Sequence, residues 1–159
     1  MPFSPAISHA SADAAPEVAA LVGALLGEIM ERSGNAAFNF DLAGTTARLA
    51  EWLEQGHYTV LTARDGNNAM IGFAALTESR ALYAEGVFGT LTELYVRPEY
   101  RSHGLGKQLL DAACAHGASL GWKRLEVTTP PLPHFSNTLA FYEREGFSVA
   151  GGKKLKRVL

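Results

Sequence analysis

The spacing of apolar residues along the chain changes between the period of a helix and the period of a strand. In residues 13–32, apolar side chains recur three and four positions apart, which is typical of a helix with one buried face. Near Leu125 and Val127 the period is two, as in a half-buried strand. The same comparison along the whole chain predicts helices at residues 13–32, 42–55, 105–120 and 136–146.

Strand-like segments accompany these helices, and residues 78–89 between them are predicted to be irregular. The predicted strands are residues 5–10, 57–63, 69–77, 90–96, 123–129, 147–150 and 153–159. Strands and helices alternate only in the middle of the chain, so we expect an α/β (α+β) fold with a mixed central sheet of six to seven strands and about four helices. The length of 159 residues, without repeat or linker, fits a single domain spanning residues 1–159.

Composition excludes several classes of function. The net charge of −2 gives no basic footprint for nucleic acid. The single cysteine, Cys114, cannot form an internal disulfide, which favours a reducing compartment. No Lys or Arg precedes Arg32, and the apolar run 18–27 is far shorter than the ~20 residues of a membrane span. We therefore expect a cytoplasmic protein that binds neither nucleic acid nor a membrane.

The candidate chemistry is concentrated in residues 101–107, between a predicted strand and a predicted helix. The N–H groups at a helix start have no helical partner and carry partial positive charge. Gly104 and Gly106 lack the Cβ atoms that would hold a phosphate away from these amides, while Arg101 and Lys107 add positive charge. The turn is therefore predicted to bind a phosphorylated ligand.

Spacing excludes two familiar phosphate-binding loops. A nucleoside triphosphate loop would need Ser or Thr where Gln108 stands, and a dinucleotide loop would need a small residue where Leu109 stands. The remaining pattern, R-x-x-G-x-G after a strand, together with Phe141-Tyr142-Glu143-Arg144-Glu145-Gly146-Phe147, resembles the GNAT superfamily of acyl-CoA-dependent N-acetyltransferases. The resemblance extends over residues 57–150.

The resemblance implies that acetyl-CoA is the co-substrate. In this family the turn binds the pyrophosphate of coenzyme A through backbone amides, and the central strand pairs with the pantetheine arm. The residues implied in binding are Leu94, Tyr95, Val96, Arg101, Ser102, His103, Gly104, Leu105, Gly106 and Lys107. His116 and His134 have no Cys or acidic partner at ligand spacing, so we expect no metal.

The resemblance also supplies candidate catalytic residues. Tyr142 matches the family's tyrosine that protonates the departing CoA sulfur, and a phenol with a reference pKa of about 10 carries its proton at neutral pH. Glu93 is the candidate base, because it shares a strand face with Tyr95. Glu85, in the irregular segment, is the second candidate, and an amine that arrives neutral would need no base.

One position departs from the family pattern. The family often has Asn seven residues before the catalytic tyrosine, and this chain has Phe135 there. Asn137 lies on a different helix face from that position, so the role of the asparagine is not transferred to it. The Pro-rich segment 130–133 before this helix indicates a rebuilt helix start.

The acceptor side is predicted to recognise a cationic amine beside apolar surface. Glu85, Tyr83 and Phe88 are the candidate contacts. The expected function is acetyl transfer from acetyl-CoA to a primary amine of a small molecule, without a covalent enzyme intermediate. A peptide or protein acetyltransferase, and a CoA-binding module without catalysis, are the alternatives. The charged strand predicted at residues 153–159 leaves a homodimer and a monomer both open.

Overall fold

The computed structural model describes residues 4–159. The chain divides into two compact units, one ending at Thr128 and one spanning Thr129–Leu159. The first unit contains the sheet and three helices, and the second contains the last helix. The expectation of a single domain stays a prediction. None of the described helices is long and apolar enough to cross a membrane.

The sheet is mixed and has five strands in sequence order. Neighbouring strands are antiparallel, except that β4 and β5 are parallel. The strands are β1 (Ala6–His9), β2 (Thr59–Arg64), β3 (Met70–Ala81), β4 (Gly86–Val96) and β5 (Leu125–Val127). The predicted fold class, with a mixed sheet and four helices, is thus confirmed, and the strand count is slightly lower than the expected six to seven.

Four helices complete the fold: α1 (Ala15–Ser33), α2 (Leu42–Glu54), α3 (Leu105–Ser119) and α4 (Ser136–Arg144). Helices α1 and α2 pack with Phe73 and Tyr95 on one face of the sheet. Helix α3 packs on the other face, where a Cβ added to Gly72 would lie 3.3 Å from Leu109 Cδ1. Successive strand residues point to opposite faces, so Phe73 faces α1 and α2 whereas Gly72 faces α3.

The prediction of an irregular segment at residues 78–89 is wrong. Strands β3 and β4 continue through it and pair from Glu78↔Gly89 to Ala81↔Gly86. A short 3-10 turn, Leu82–Ala84, closes the hairpin, and Glu85 follows in the left-handed conformation with φ +61°. The segment lacks an apolar pattern because the outer half of β3 alternates only between partly buried and exposed positions.

The last two predicted strands, at residues 147–150 and 153–159, are absent from the described part of the chain, which is why the strand count is lower. Their apolar residues are largely exposed, with Val149 at 79% and Leu155 at 89%. Alternating sequence favours an extended backbone but forms a strand only with a partner edge. The strand edge invoked for a homodimer is therefore not formed, and the oligomeric state stays a prediction.

Strand β4 carries a β-bulge at Thr92. Its register to β3 passes from Leu76↔Leu91 directly to Ala75↔Glu93, so Thr92 is an extra residue without a partner. Strand β5 pairs with β4 only at residues 89–91 and stops just before the bulge. A bulge bends its strand and increases its twist. Beyond Thr92, the edge of β4 that faces away from β3 therefore has no strand partner among residues 4–159.

Candidate active site

The open edge of β4 presents backbone hydrogen-bonding groups. Arg97 N–H donates to Ile71 O of β3 at 2.9 Å. Main-chain groups two residues apart on a strand face the same neighbour, so those of Tyr95 also face β3. The groups of Leu94 and Val96 face the open edge, and Val96 O accepts from Arg101 Nε at 2.8 Å. An extended amide-containing chain could pair with this edge as a peptide strand does.

The turn at residues 101–107 is open at its centre. Ser102 (φ +67°) and Gly104 (φ +82°) both have the left-handed backbone that makes the reversal, and Gly104 caps α3. The first helical bond runs from Gln108 N–H to Gly104 O at 3.1 Å, so the amides of Leu105 and Gly106 come before it. A Cβ added to Gly104 would meet no atom within 4 Å. Unpaired amides at the start of a helix of this kind can bind an anion.

The charge of Arg101 is engaged within the protein. Its guanidinium forms a bidentate pair with Glu28 of α1, with Nη1–Oε1 at 2.8 Å and Nη2–Oε2 at 3.2 Å. It also stacks over Tyr95, with Cζ 5.4 Å from the ring centroid. Lys107 pairs with Asp111, one helical turn further on, at 2.8 Å. Arg101 thus connects the turn to α1 through Glu28, a contact that the sequence did not predict.

A cavity of about 270 Å³ lies between helices α1 and α2 and strands β2, β3 and β4. Its wall is mostly apolar and aromatic, and the rings are those of Phe40, Trp52, Tyr58 and Phe73. The charged side chains that line it are Glu93 and Arg48. Of these two charged residues, only Glu93 was predicted from the sequence.

Glu93 is held at the cavity by two hydroxyl donors. Tyr58 Oη donates to Glu93 Oε2 at 3.2 Å, and the Thr92 hydroxyl donates to the same oxygen. Burial raises the pKa of Glu93, against the opposing effect of these two hydrogen bonds. Burial, together with the negative charge of Glu93, also raises the pKa of Tyr58. Tyr58 therefore keeps its proton, and Glu93 is a stronger base than an exposed carboxylate.

Tyr142 lies on α4 with only 5% of its surface exposed. Its ring packs at an angle between Phe141 and Phe147, with centroids 5.2 Å and 5.4 Å away. Burial raises the pKa of Tyr142 to about 12, so the phenol is protonated at neutral pH. Phe135 is buried where α4 begins, and Asn137 is exposed.

The structure does not bring the predicted acceptor contacts to the cavity. Tyr83 and Glu85 lie at the tip of the β3–β4 hairpin, and Phe88 lies near the start of β4. Arg124 stacks on both rings, 5.3 Å from the Tyr83 centroid and 5.4 Å from that of Phe88. None of the three predicted residues is among those that line the cavity at Glu93.

Sequence reasoning missed three residues of the cavity: Arg48, Trp52 and Tyr58. The rings of Trp52 and Tyr58 lie 5.1 Å apart, at the junction of α2 and β2. Tyr58 is 35 positions from the carboxylate to which it donates. Only the pairing of β2, β3 and β4 brings the two together, so no local pattern could have indicated the contact.

Comparison with known proteins identifies the family of this chain. Residues 55–149 match the model of the acetyltransferase (GNAT) domain. The uncharacterised N-acetyltransferase YhfO of Bacillus subtilis (strain 168) is 31% identical over 107 residues, which are 67% of this chain and 70% of that protein. The chain belongs to the GNAT acetyltransferase family, and it is an acyltransferase. The predicted resemblance is confirmed.

Solved structures show the same fold with different acceptors. The aminoglycoside N-acetyltransferase AAC(6')-Iy in complex with CoA aligns over 98% of this chain and 95% of its own, with a TM-score of 0.80 and 18% identity. The ribosomal-protein-alanine N-acetyltransferase from Brucella melitensis biovar Abortus 2308 aligns over 98% and 100%, with a TM-score of 0.73 and 18% identity. At these identities the likeness concerns the fold alone.

Proposed function

We propose that the chain is an N-acetyltransferase that moves the acetyl group of acetyl-CoA directly to a primary amine of a small molecule. The observation that carries the proposal is the carboxylate of Glu93 in a cavity of about 270 Å³, on the strand whose edge is open from Thr92 onward. A base at the cavity and an amide-rich edge on the same strand would bring an amine and a thioester together.

Acetyl-CoA would be held by the open edge of β4 and by the turn before α3. Leu94 and Val96 would pair with its pantetheine amides, and the amides of Leu105 and Gly106 would face its diphosphate. The co-substrate supplies an acetyl thioester, which is the electrophile. The expected contributions of Ser102, His103 and Lys107 are main-chain groups of the same turn.

Glu93 would accept the proton that the amine loses as it attacks the acetyl carbon. Its raised pKa favours this role, because a more basic carboxylate takes the proton with a larger driving force. The hydroxyls of Tyr58 and Thr92 hold the carboxylate in place and satisfy it while it is charged. The amide product has no basic nitrogen and would no longer pair with Glu93.

Tyr142 is proposed as the acid that protonates the departing CoA thiolate. Its place in the α4 motif supports the role, and its pKa of about 12 keeps the proton on the phenol until the thiolate forms. The proton is then on sulfur. Glu93 releases the amine proton to solvent and Tyr142 takes one back, so the cycle consumes no net proton. No covalent acyl-enzyme is required in this sequence.

The first prediction concerns Glu93. Glu93→Gln should lower kcat by about 100-fold, the lower end of the usual contribution of a general base. In the wild type, kcat/KM should fall as the pH drops through a pKa above the ordinary 4.5 of glutamate, because only the carboxylate accepts a proton. The variant should lose this acid limb. The measurement is the initial rate of CoA release against pH over a series of amine concentrations, which gives kcat and kcat/KM separately.

Glu85→Gln is the matched control for this experiment. Glu85 lies at the hairpin tip and does not line the cavity, so its replacement should leave both kcat and the pH profile unchanged. If Glu85→Gln lost activity and Glu93→Gln kept it, Glu85 would be the base. An unchanged profile in both variants would mean that the amine reacts without a protein base.

The second prediction concerns Tyr142. Tyr142→Phe keeps the ring between Phe141 and Phe147 and removes the proton donor, so kcat should fall by about 100-fold with little change in the affinity for acetyl-CoA. Tyr83→Phe, an exposed tyrosine on the hairpin, is the control. Full turnover in Tyr142→Phe would remove Tyr142 from the mechanism. CoA binding without thiol release, even in the wild type with a broad amine panel, would favour a non-catalytic module.

A further inference from the structure

We propose, on the basis of the function above, that the acceptor is an amino acid with an apolar or aromatic side chain rather than a polycationic amine. Its amino group would lie at Glu93, its side chain against the apolar wall, and its carboxylate at Arg48. Three independent properties of the cavity, namely its charge, its size and its wall, lead to this class of acceptor.

The charge of the cavity is balanced. Glu93 supplies one negative charge and Arg48 one positive charge. Arg48 forms no ion pair with any carboxylate in residues 4–159, so its guanidinium is available to a ligand. A polyamine or an aminoglycoside would place further positive charge beside this arginine, at an energetic cost. An amine that also carries a carboxylate pairs with both side chains, and a guanidinium can bind a carboxylate through two N–H groups.

Other acids that could attract a polycation are engaged or remote. The carboxylate of Asp41 caps α2 by accepting from Gly44 N–H at 2.7 Å. Glu85 lies at the tip of the β3–β4 hairpin and does not line the cavity. A second and a third ammonium group would therefore find no carboxylate in the cavity wall.

The size of the cavity points in the same direction. Its volume of about 270 Å³ lies just below the range of about 300–1,000 Å³ that is usual for drug-sized ligands. A single amino acid fits within this volume, whereas an aminoglycoside of several sugar rings would extend beyond it. A peptide could enter only with its first residue, which would leave no free carboxylate for Arg48.

The wall selects an apolar side chain. Phe40, Trp52 and Tyr58 supply rings, and Val22 and Leu26 of α1 add aliphatic surface. The Trp52 and Tyr58 rings are tilted by 48° and form one continuous surface. Burial of an apolar side chain against this wall contributes about 25 cal/mol per Å² of surface removed from water. A charged or strongly polar side chain would lose hydration without gaining a partner.

The test compares acceptors that differ only in the carboxylate. Acetylation of L-phenylalanine and of phenethylamine is measured in the wild type and in Arg48→Met, with Arg80→Met, an exposed arginine on β3, as the control. Because a hydrogen-bonded charge contact contributes about one factor of ten or more, the wild type should favour phenylalanine at least about tenfold in kcat/KM. Arg48→Met should abolish this preference by lowering kcat/KM with phenylalanine, and Arg80→Met should retain it.

Binding is measured separately from turnover. Calorimetric titration of phenylalanine into the protein with CoA present should give heat in the wild type and in Arg80→Met, and about tenfold weaker binding in Arg48→Met. The same series is run with leucine, spermidine and kanamycin. Arg48 is exposed, so the variant should melt at the same temperature as the wild type.

The outcomes separate this inference from the proposed function. Faster acetylation of spermidine or kanamycin than of any amino acid would overturn the acceptor class and leave the N-acetyltransferase assignment intact. So would equal rates with phenylalanine and phenethylamine in the wild type. Binding of phenylalanine that depends on Arg48, without turnover of any amine, would support the acceptor class and overturn the catalytic assignment. If no amino acid is bound and none is acetylated, the proposed acceptor class is overturned.

Discussion

Glu93 shows how burial of a single carboxylate affects both its basicity and the stability of the folded protein. Desolvation makes the carboxylate more basic, and the same desolvation makes its charged form costly to the folded protein. The two hydroxyl donors reduce this cost without abolishing it. The free energy of unfolding should therefore depend on the ionisation of this residue.

The sign of the dependence follows from linkage. The pKa of Glu93 is higher in the folded than in the unfolded chain, so the folded state binds the proton more tightly, and stability falls as the pH rises above about 4.5. Glutamine has no such ionisation. The melting temperature of Glu93→Gln minus that of the wild type should therefore be larger at about pH 7.5 than at about pH 4. Thermal melts at both pH values measure it, and equal differences would refute a buried, destabilising charge.

Single residues also mark the limit of what the sequence could predict about the site. Glu93 was identified because it lies on the strand that the turn motif follows, and the motif residues need only local order. Arg48 belongs to α2 and Tyr58 immediately precedes β2, two elements that carry no signature, and tertiary packing brings both residues to the cavity at Glu93. Tyr83 and Phe88 were proposed as acceptor contacts from composition alone, which does not locate a side chain.

At the scale of elements, the tie between α1 and the turn connects two parts of the site. Leu26 of α1 lines the cavity, and Glu28, two residues on, holds Arg101 at the head of the turn. The pair is only partly exposed and bidentate, so it should contribute about 1 kcal/mol to stability. The geometry of the turn would then depend on α1.

Replacing each partner distinguishes a structural from a direct role of Arg101. If Arg101 only positions the turn, Arg101→Met and Glu28→Gln should both weaken CoA binding, by about threefold to tenfold for a loss near 1 kcal/mol. If Arg101 instead binds the diphosphate, Glu28→Gln would release its charge and strengthen binding. Titration of CoA into both variants measures the difference. Lys107→Met provides a reference for the loss of an exposed charge near the turn.

The elements themselves were largely predictable. The strong helical period of α1 and the Gly-containing turns gave the helices and the inner strands within a few residues. The β3–β4 hairpin escaped prediction because Glu78, Ser79 and Arg80 are polar on both faces of an outer strand segment. The C-terminal segments have alternation without pairing partners, and alternation alone does not specify a strand.

At the scale of the whole molecule, CoA binding should increase the free energy of unfolding. A ligand that binds only the folded state stabilises it by about 2.7 kcal/mol at a hundredfold excess over its Kd. Saturating CoA should therefore raise the melting temperature of the wild type. Gly104→Ala should melt lower without ligand, since its φ of +82° strains a residue with a Cβ, and should lose the rise with CoA.

Gly121 provides the matched control at the other end of α3. Its φ is +76°, and a Cβ there would also meet no atom within 4 Å. Gly121→Ala should therefore lose a similar stability, about 1 kcal/mol, from backbone strain alone and keep the full rise with CoA. Equal responses to CoA in the two variants would place the ligand away from the turn.

The extra residue in β4, Thr92, has a consequence for the whole sheet. Thr92 adds no face to the strand, because Leu91 and Glu93 already lie on opposite sides of the sheet. In a chain without Thr92, every later side chain of β4 would stay on the same face of the sheet. Strand β4 would then run straight, and β5 could pair with it along its whole length. Such a protein would have more complete hydrogen bonding between strands and no open edge on β4 for a ligand. The open edge that we propose for the co-substrate thus exists because one inserted residue leaves part of the sheet without hydrogen-bond partners.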